Sequence, residues 1–427
     1  MIINKKKLPM NIVIFIIVLY SIMPWVSRVI SLYLTTYFYL VILTFAAVYI
    51  AFVNGKASLY RNIYLLIPFL VWRVLILFST TTGVVLWLYQ SLIELIPVML
   101  GQYILNYRKK ENKFYVFVII AAFSLTIITT ISGLMIYPEA SRWLATADSA
   151  QESKLIIYNM LNIGGYNFIY SVVLLYPILI LAFKRKRIGL IPTVVSALVM
   201  LVLIIASGYT TALLLFGVSS FLLLFDKNIN GKQILIFLIA IGIIAIVANH
   251  YLSEIFSWLA RNVDNSNISY RLQLLADGKD ALLNSEDNRL QLYGDSLRIF
   301  LQNPFFGLLL GQGGEIGGHS FILDYLANYG LFGMVFLIYM YRTIYLLFFK
   351  PYQEYMGYGF VVWSFIQTIA FSCVNTGMWL YVLTLYIPCC VEQIFKEEGL
   401  VKKNDKNSMD SKFRIRSSWR KIVWKTK

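Results

Sequence analysis

Repeated uncharged, apolar runs, each about 18 residues or longer, constrain this chain more than any other feature. A helix of that length crosses roughly 30 Å of hydrocarbon, and lipid offers an exposed backbone no hydrogen-bond partners. The runs are therefore expected to be membrane helices. About twelve can be marked, near 10–27, 32–53, 63–79, 84–105, 114–136, 165–183, 189–207, 209–225, 233–250, 321–348, 355–374 and 376–395. Charged residues make up 14% of the chain, where a soluble domain carries about 25%. The expected fold class is an all-α polytopic membrane protein of about 12 transmembrane helices, with one large extracytoplasmic loop before the last three spans.

Lysine and arginine set the orientation. Every second loop is basic: Lys56 and Arg61; Arg108, Lys109, Lys110 and Lys113; Lys184 to Arg187; Lys227 and Lys232; Lys350. The N-terminal Lys5–Lys7 and the C-terminal tail share that parity, which places both termini in the cytoplasm. No small-residue cleavage site follows the first apolar run, so it reads as a span and not as a removed signal peptide. The net charge of +16 is scattered over these short loops and the tail KFRIRSSWRKIVWKTK, which suits an anionic inner leaflet and not nucleic acid. The organisation expected is a bundle of about nine spans over 1–250, an extracytoplasmic loop domain over 251–319, C-terminal membrane helices over 320–396 and a basic cytoplasmic tail over 397–427.

The loop at 251–319 is the sizeable polar stretch on the outer side, and four of its five cations are arginine: Arg261, Arg271, Arg289 and Arg298, with Lys279. Arginine grips phosphate oxygens in pairs, where lysine is closer to a point charge. Arg271 and Arg289 each open an RLQL segment and are the stronger anion-binding candidates; Arg261 and Arg298 read as surface partners of nearby acids. Asn303-Pro304 should stop a helix. A run with Gly307, Gly311, Gly313, Gly314, Gly317 and Gly318 then suits close backbone approach to a ligand, though it lacks the Gly-Lys-Ser/Thr of a phosphate-binding P-loop. His319, one of only two histidines, stands where this loop meets the next membrane helix; His250 reads as interfacial. Free N–H groups at that helix start attract anions, which brings in Gly318 and Ser320. Ser320, Asp324 and Asn328 repeat every fourth residue and share one helix face. Ser320 as a helix cap, with Asp324 and Asn328 bracing neighbours, accounts for that stripe as well as catalysis does.

Two charges sit deeper, Arg73 and Glu94, in adjacent spans. They read as a structural ion pair, the alternative being Arg73 as a ligand for lipid phosphate. Cys373, Cys389 and Cys390 fall in apolar runs without a CxxC spacing, and no His, Cys or carboxylate cluster has metal-ligand spacing. The chemistry expected is metal-independent and needs no cofactor.

The order Arg289 and Tyr293, Ser296-Leu297, Asn303-Pro304 and Gly307, Gly318-His319-Ser320, Asp324, then Tyr329-Gly330-Leu331 and Gly333 resembles the Wzy-type polysaccharide polymerases. These share a membrane superfamily with the O-antigen ligases. The resemblance implies a polymerase of undecaprenyl-diphosphate-linked oligosaccharide repeat units, making O-antigen, capsular or exopolysaccharide at the outer face of a bacterial plasma membrane. It implies diphosphate binding by Arg289 and Arg271, and a place beside the reacting centre for His319, with Asp324 orienting it or acting as base. It also implies membrane lipid and, in the same pathway, a chain-length regulator and a flippase as partners. One departure is plain: many relatives carry an arginine in a Ser-Arg turn between two middle spans, where this chain reads Ser207-Gly208-Tyr209-Thr210-Thr211. The alternatives are a ligase that passes the glycan to a lipid core or protein, and a flippase; internal repeats, usual in transporters, are not seen.

Overall fold

The computed structural model describes residues 8–33, 67–79, 96–105, 112–138, 140, 141, 144, 152–221, 249–262, 269, 272, 273, 276, 289–310, 316, 317, 320–372 and 378–396. The described residues are all-helical, with no strand among them. The helices are α1 (Leu8–Ile22), α2 (Pro24–Tyr33), α3 (Ile67–Ser79), α4 (Ile96–Leu105), α5 (Asn112–Ile136), α6 (Glu152–Met160), α7 (Tyr166–Lys184), α8 (Leu190–Ser207), α9 (Thr210–Phe221), α10 (Asn249–Asn262), α11 (Arg289–Gln302), α12 (Phe321–Ile344), α13 (Tyr358–Ser372) and α14 (Ile387–Lys396). The segments Met378–Tyr381 and Val382–Tyr386 lead into α14, the second of them wound as a π turn.

Four of these helical stretches, Asn112–Ile136, Tyr166–Lys184, Leu190–Ser207 and Phe321–Tyr352, are long and apolar enough to cross a membrane. Among the described residues a fifth is added if α1 and α2 count together as one span, and they meet at a 113° bend. Pro24, which cannot donate to the preceding turn, opens α2 just past that bend. The segment expected to cross at 32–53, most of 84–105 and nearly all of 233–250 lie outside the described residues. Around 250 the chain is helical from Asn249 to Asn262, so the helix reaches well into the stretch expected to be loop.

Burial runs through the bundle in one main apolar core. In it α1 packs on α5, α7 on α8, α9 and α13, and α14 on α5 and α7. Small residues let backbones meet there: a Cβ at Gly101 of α4 would lie 1.9 Å from the Thr384 carbonyl oxygen. At the far end of α5, Asn162 works as a polar hub. Its amide donates to Thr126 and Thr129 hydroxyls at 3.2 and 3.0 Å, and its Oδ1 accepts from the Trp25 N–H at 3.2 Å. The start of α2 and the 161–165 turn are thereby fastened to α5.

The helix expected across 321–348 is not straight. Gly330 sits inside α12 at φ 62° and ψ −162°, outside helical geometry. The Phe321 and Tyr341 rings lie 6.5 and 5.2 Å from the same Trp379 ring. A straight helix would hold residues so spaced about 30 Å apart, so α12 folds back into two limbs at Gly330. The peptide groups freed at the break find partners in the turn after α11: Leu331 N–H donates to the Pro304 carbonyl at 2.8 Å and Phe332 N–H to that of Phe305 at 3.0 Å.

A Cβ at Gly330 would meet the Phe305 backbone at 2.4 Å, on top of the positive φ. Gly330→Ala is therefore expected to destabilise the protein by at least about 2 kcal/mol, from backbone strain and the clash together. Gly217→Ala, in α9 with open space where the methyl would go, should be neutral or stabilising by about 0.5 kcal/mol. Thermal unfolding in detergent, followed by size exclusion, compares the two; equal midpoints would mean the joint at Gly330 is not packed this way.

Candidate functional site

Two of the residues singled out, Ser320 and Asp324, join Ser296 of α11 and Gly317 in one polar knot. α11 begins at Arg289 and ends at Gln302, just before Asn303-Pro304, as the proline requires. Along its buried face Leu292 and Ile299 flank Ser296, which is fully buried. The Ser296 hydroxyl donates to Asp324 Oδ1 at 2.5 Å and accepts from the Gly317 N–H at 3.1 Å. Asp324 Oδ2 accepts from the Ser320 N–H at 3.0 Å, and Ser320 Oγ accepts from the Leu323 N–H at 3.3 Å.

This is a reciprocal cap. A serine at the helix boundary satisfies one free N–H of the first turn, while a carboxylate one turn in reaches back to the serine's own N–H. The negative charge also sits at the positive end of the helix. Ser320, expected to contact diphosphate, is only 2% exposed, and its oxygen faces its own helix. Asp324 has both oxygens engaged, one across to α11 and one along its own chain. The knot thus fixes Gly317 and Ser320, the residues on either side of Gly318 and His319. Gly318, His319, Arg271 and Glu94 lie outside the described residues, as does the side chain of Arg289, whose backbone opens α11.

Two described glycines of the loop make close approaches of another kind from the one expected. A Cβ at Gly317 would lie 2.0 Å from the Leu292 carbonyl oxygen, and one at Gly307, whose φ is +56°, would lie 2.3 Å from that of Ala327. Here the close approach is to the protein's own backbone, not to a ligand. Together with Gly330 they let α11, the turn at 303–310 and the first limb of α12 lie against one another.

On the far side of α12 stands Trp72 of α3. Its Nε1–H donates to the Tyr325 hydroxyl at 2.5 Å, and its ring stacks on Phe336 at 4.9 Å. Tyr329 and Phe332 meet it edge-on. Arg73, the next residue, is half-buried on the same helix. The expected pair with Glu94 falls outside the described residues.

The turn that departs from the resemblance is filled by aromatic packing. Gly208 ends α8 in the left-handed region at φ 72°. Tyr209 then stacks edge-on to Tyr166 at 5.4 Å, and its hydroxyl donates to the Ser141 carbonyl at 2.7 Å. A tyrosine here holds the turn to residue 141 and brings no cation.

Ser296 joins the knot together, yet sequence reasoning did not set it apart as a site residue, and it took Gly317 only as one of a glycine run open to a ligand. The signal was there for Ser296: a lone hydroxyl on a helix face otherwise lined by Leu292 and Ile299 must find a partner. Which partner it would find was not readable.

Residues 195–338 match the family model for O-antigen ligase. The matched window holds Arg289, Ser296, Gly317, His319, Ser320 and Asp324, so the knot lies wholly inside it. The match supports the O-antigen ligase/polymerase superfamily without separating its two activities. With the apolar helices, it supports a multi-pass membrane enzyme of glycosyltransferase type. No curated protein and no solved structure matches the chain.

The Ser296–Asp324 bond should show as coupling. Each single alanine variant is expected to lose about 1–3 kcal/mol of stability, because its partner in the knot is left short of a bond away from bulk water. The double variant should lose at least about 1 kcal/mol less than the sum. Strict additivity in unfolding measurements would mean the two side chains do not act together.

Proposed function

We propose that this protein is a membrane glycosyltransferase that polymerises undecaprenyl-diphosphate-linked oligosaccharide repeat units, working at the outer face of a bacterial plasma membrane. The observation that carries the reading is the polar knot of Ser296, Gly317, Ser320 and Asp324, which brackets His319 inside the window matched to the O-antigen ligase family. The architecture that goes with it has about twelve spans, cytoplasmic termini and residues 251–319 outside. The product is O-antigen, capsule or exopolysaccharide. A flippase and a chain-length regulator of the same pathway are the partners proposed.

In the reaction, a hydroxyl on the non-reducing sugar of a new lipid-linked unit attacks the anomeric carbon of the growing chain. A carbon–oxygen bond forms there as the bond from that carbon to the diphosphate oxygen breaks. The polyprenyl diphosphate departs with the electron pair. His319 takes the hydroxyl proton, the general-base role for which imidazole is the commonest side chain. Arg289 and Arg271 neutralise charge developing on the leaving diphosphate, the largest contribution available to a site of this kind. Gly318 offers its backbone to the same anion. We assign Asp324 to positioning: with Ser296 it holds Gly317 and Ser320, the residues that bracket Gly318 and His319 in the chain. Ser320 contributes as the cap of α12, shaping the helix start that faces the diphosphate. The energy of the new bond is already in the donor, so no nucleotide, metal or other cofactor is needed. Arg73 forms a structural ion pair with Glu94, or else reaches a lipid phosphate.

A second reading, a ligase that passes the glycan to a lipid core or protein, is favoured by the description of the matched family. Product analysis separates the two. Purified protein in proteoliposomes, given lipid-linked repeat units without added metal or nucleotide, should extend them into a ladder; transfer only to an added lipid-core acceptor would replace the polymerase with the ligase.

His319→Ala is expected to lower chain extension by at least about 10²-fold while the protein still inserts and single units accumulate. Unchanged polymer length in that variant removes His319 from the mechanism. Arg289→Lys should fail nearly as badly as Arg289→Ala, because the two-pronged grip is lost with the guanidinium. A lysine variant with full activity would reduce Arg289 to a surface charge.

A further inference from the structure

α11 has three faces where an ordinary surface helix has two. Ser296 and Ile299 are buried against α12. Gln291, Arg298 and Gln302 are exposed on a second, polar face, where Arg298 pairs with Asp295 at 2.9 Å. Leu297 and Leu301, one turn apart, are exposed on a third face between those two, Leu301 by 66%. An exposed surface split lengthwise into an apolar and a polar half is the signature of a helix lying in a membrane–water interface.

The apolar half does not stop at the end of α11. It runs into Phe305, 68% exposed, and Phe306 in the turn that follows. That turn is bolted to the second limb of α12 by the bonds from Leu331 and Phe332 to Pro304 and Phe305, and the Phe306 and Phe332 rings lie 5.5 Å apart. Beyond them Val335 and Ile338 are exposed on a stretch apolar enough to cross the bilayer. The strip is therefore continuous with a surface that faces lipid. Large exposed apolar patches mark contact surfaces.

We propose that Leu297, Leu301, Phe305 and Phe306 are immersed in the hydrocarbon edge of the bilayer, making α11 an interfacial helix and not part of a water-filled loop. Ser296 lies about a quarter-turn from Leu297, on a helix roughly 10 Å across. The Ser296–Asp324 knot is thus held within about one helix diameter of the hydrocarbon, at headgroup depth, where the diphosphate of a polyprenyl lipid sits. That last consequence rests on the proposed function; the lipid contact does not, and the experiment reads the contact alone.

The test places the photo-reactive residue p-benzoylphenylalanine, one position at a time, at 298, 301, 305 and 335 of the full chain in phosphatidylethanolamine–phosphatidylglycerol vesicles. After irradiation, mass spectrometry reads the adducts. Positions 301 and 305 are largely exposed, so the probe is accommodated without repacking. Lipid adducts are expected at 301, 305 and the span control 335, and at least tenfold fewer at 298. Adducts at 301 and 305 to a second copy of the chain or to another segment of it overturn the proposal. So does lipid labelling at 335 without any at 301 and 305, or labelling at 298 equal to theirs. Each of these outcomes is independent of whether the vesicles polymerise or ligate glycan.

Discussion

The carboxylate of Asp324, accepting from the Ser296 hydroxyl on one oxygen and from the Ser320 N–H on the other, is the constraint on which the rest of the site depends. Asp324 is half-buried, so water is partly withdrawn from its oxygens, and the partners that replace it come from two different helices. One bond sets where α12 starts; the other sets how α11 lies on it. Because Ser296 also accepts from Gly317, the chain just before His319 is drawn into the same arrangement. Ser296 is the shared member: removing its hydroxyl takes a bond from both Asp324 and Gly317.

A second joint supports the first. Where Gly330 leaves the helical region, α12 forfeits its own hydrogen bonds, and the carbonyls of Pro304 and Phe305 replace them. The knot at the middle of α11 and the joint just past its C-terminal end clamp it along the first limb of α12, over about two turns. Trp72 of α3 then packs across the bend against Tyr325, Tyr329 and Phe336. A site for a lipid-linked substrate needs such rigidity, since its proposed water-facing chemistry must stay in register with a carrier that does not leave the bilayer. The proposed seating of α11's apolar strip in the bilayer edge bears on the same requirement, because it would tie the depth of the clamp to the membrane surface.

Much of this was legible in the chain. The apolar runs at 114–136, 165–183 and 189–207 became helices at Asn112–Ile136, Tyr166–Lys184 and Leu190–Ser207, since an uncharged run of that length has few other ways to satisfy its backbone. Asn303-Pro304 ended α11, and Ser320 capped α12, because proline and a boundary serine act locally. The bend at Gly330 was not legible: a glycine in an apolar run is equally compatible with a straight helix, and the choice is made by carbonyls near residue 304. The glycines at 307 and 317 were read as approaches to a ligand; only their neighbours show that they admit backbone.

Sequence alone determined the helical class, the ends of α11 and α12, and the family window, because propensity, hydropathy and capping act over a few residues. Tertiary structure alone decided that Ser296 meets Asp324, that α12 folds back on itself, and that Leu301 and Phe305 form one surface with Val335. The bonds behind them join distant segments, Ser296 to Asp324 and Pro304 to Leu331, and the chain fixes them only through the packing of the whole, where a buried polar group or a crowded backbone has a single place to go.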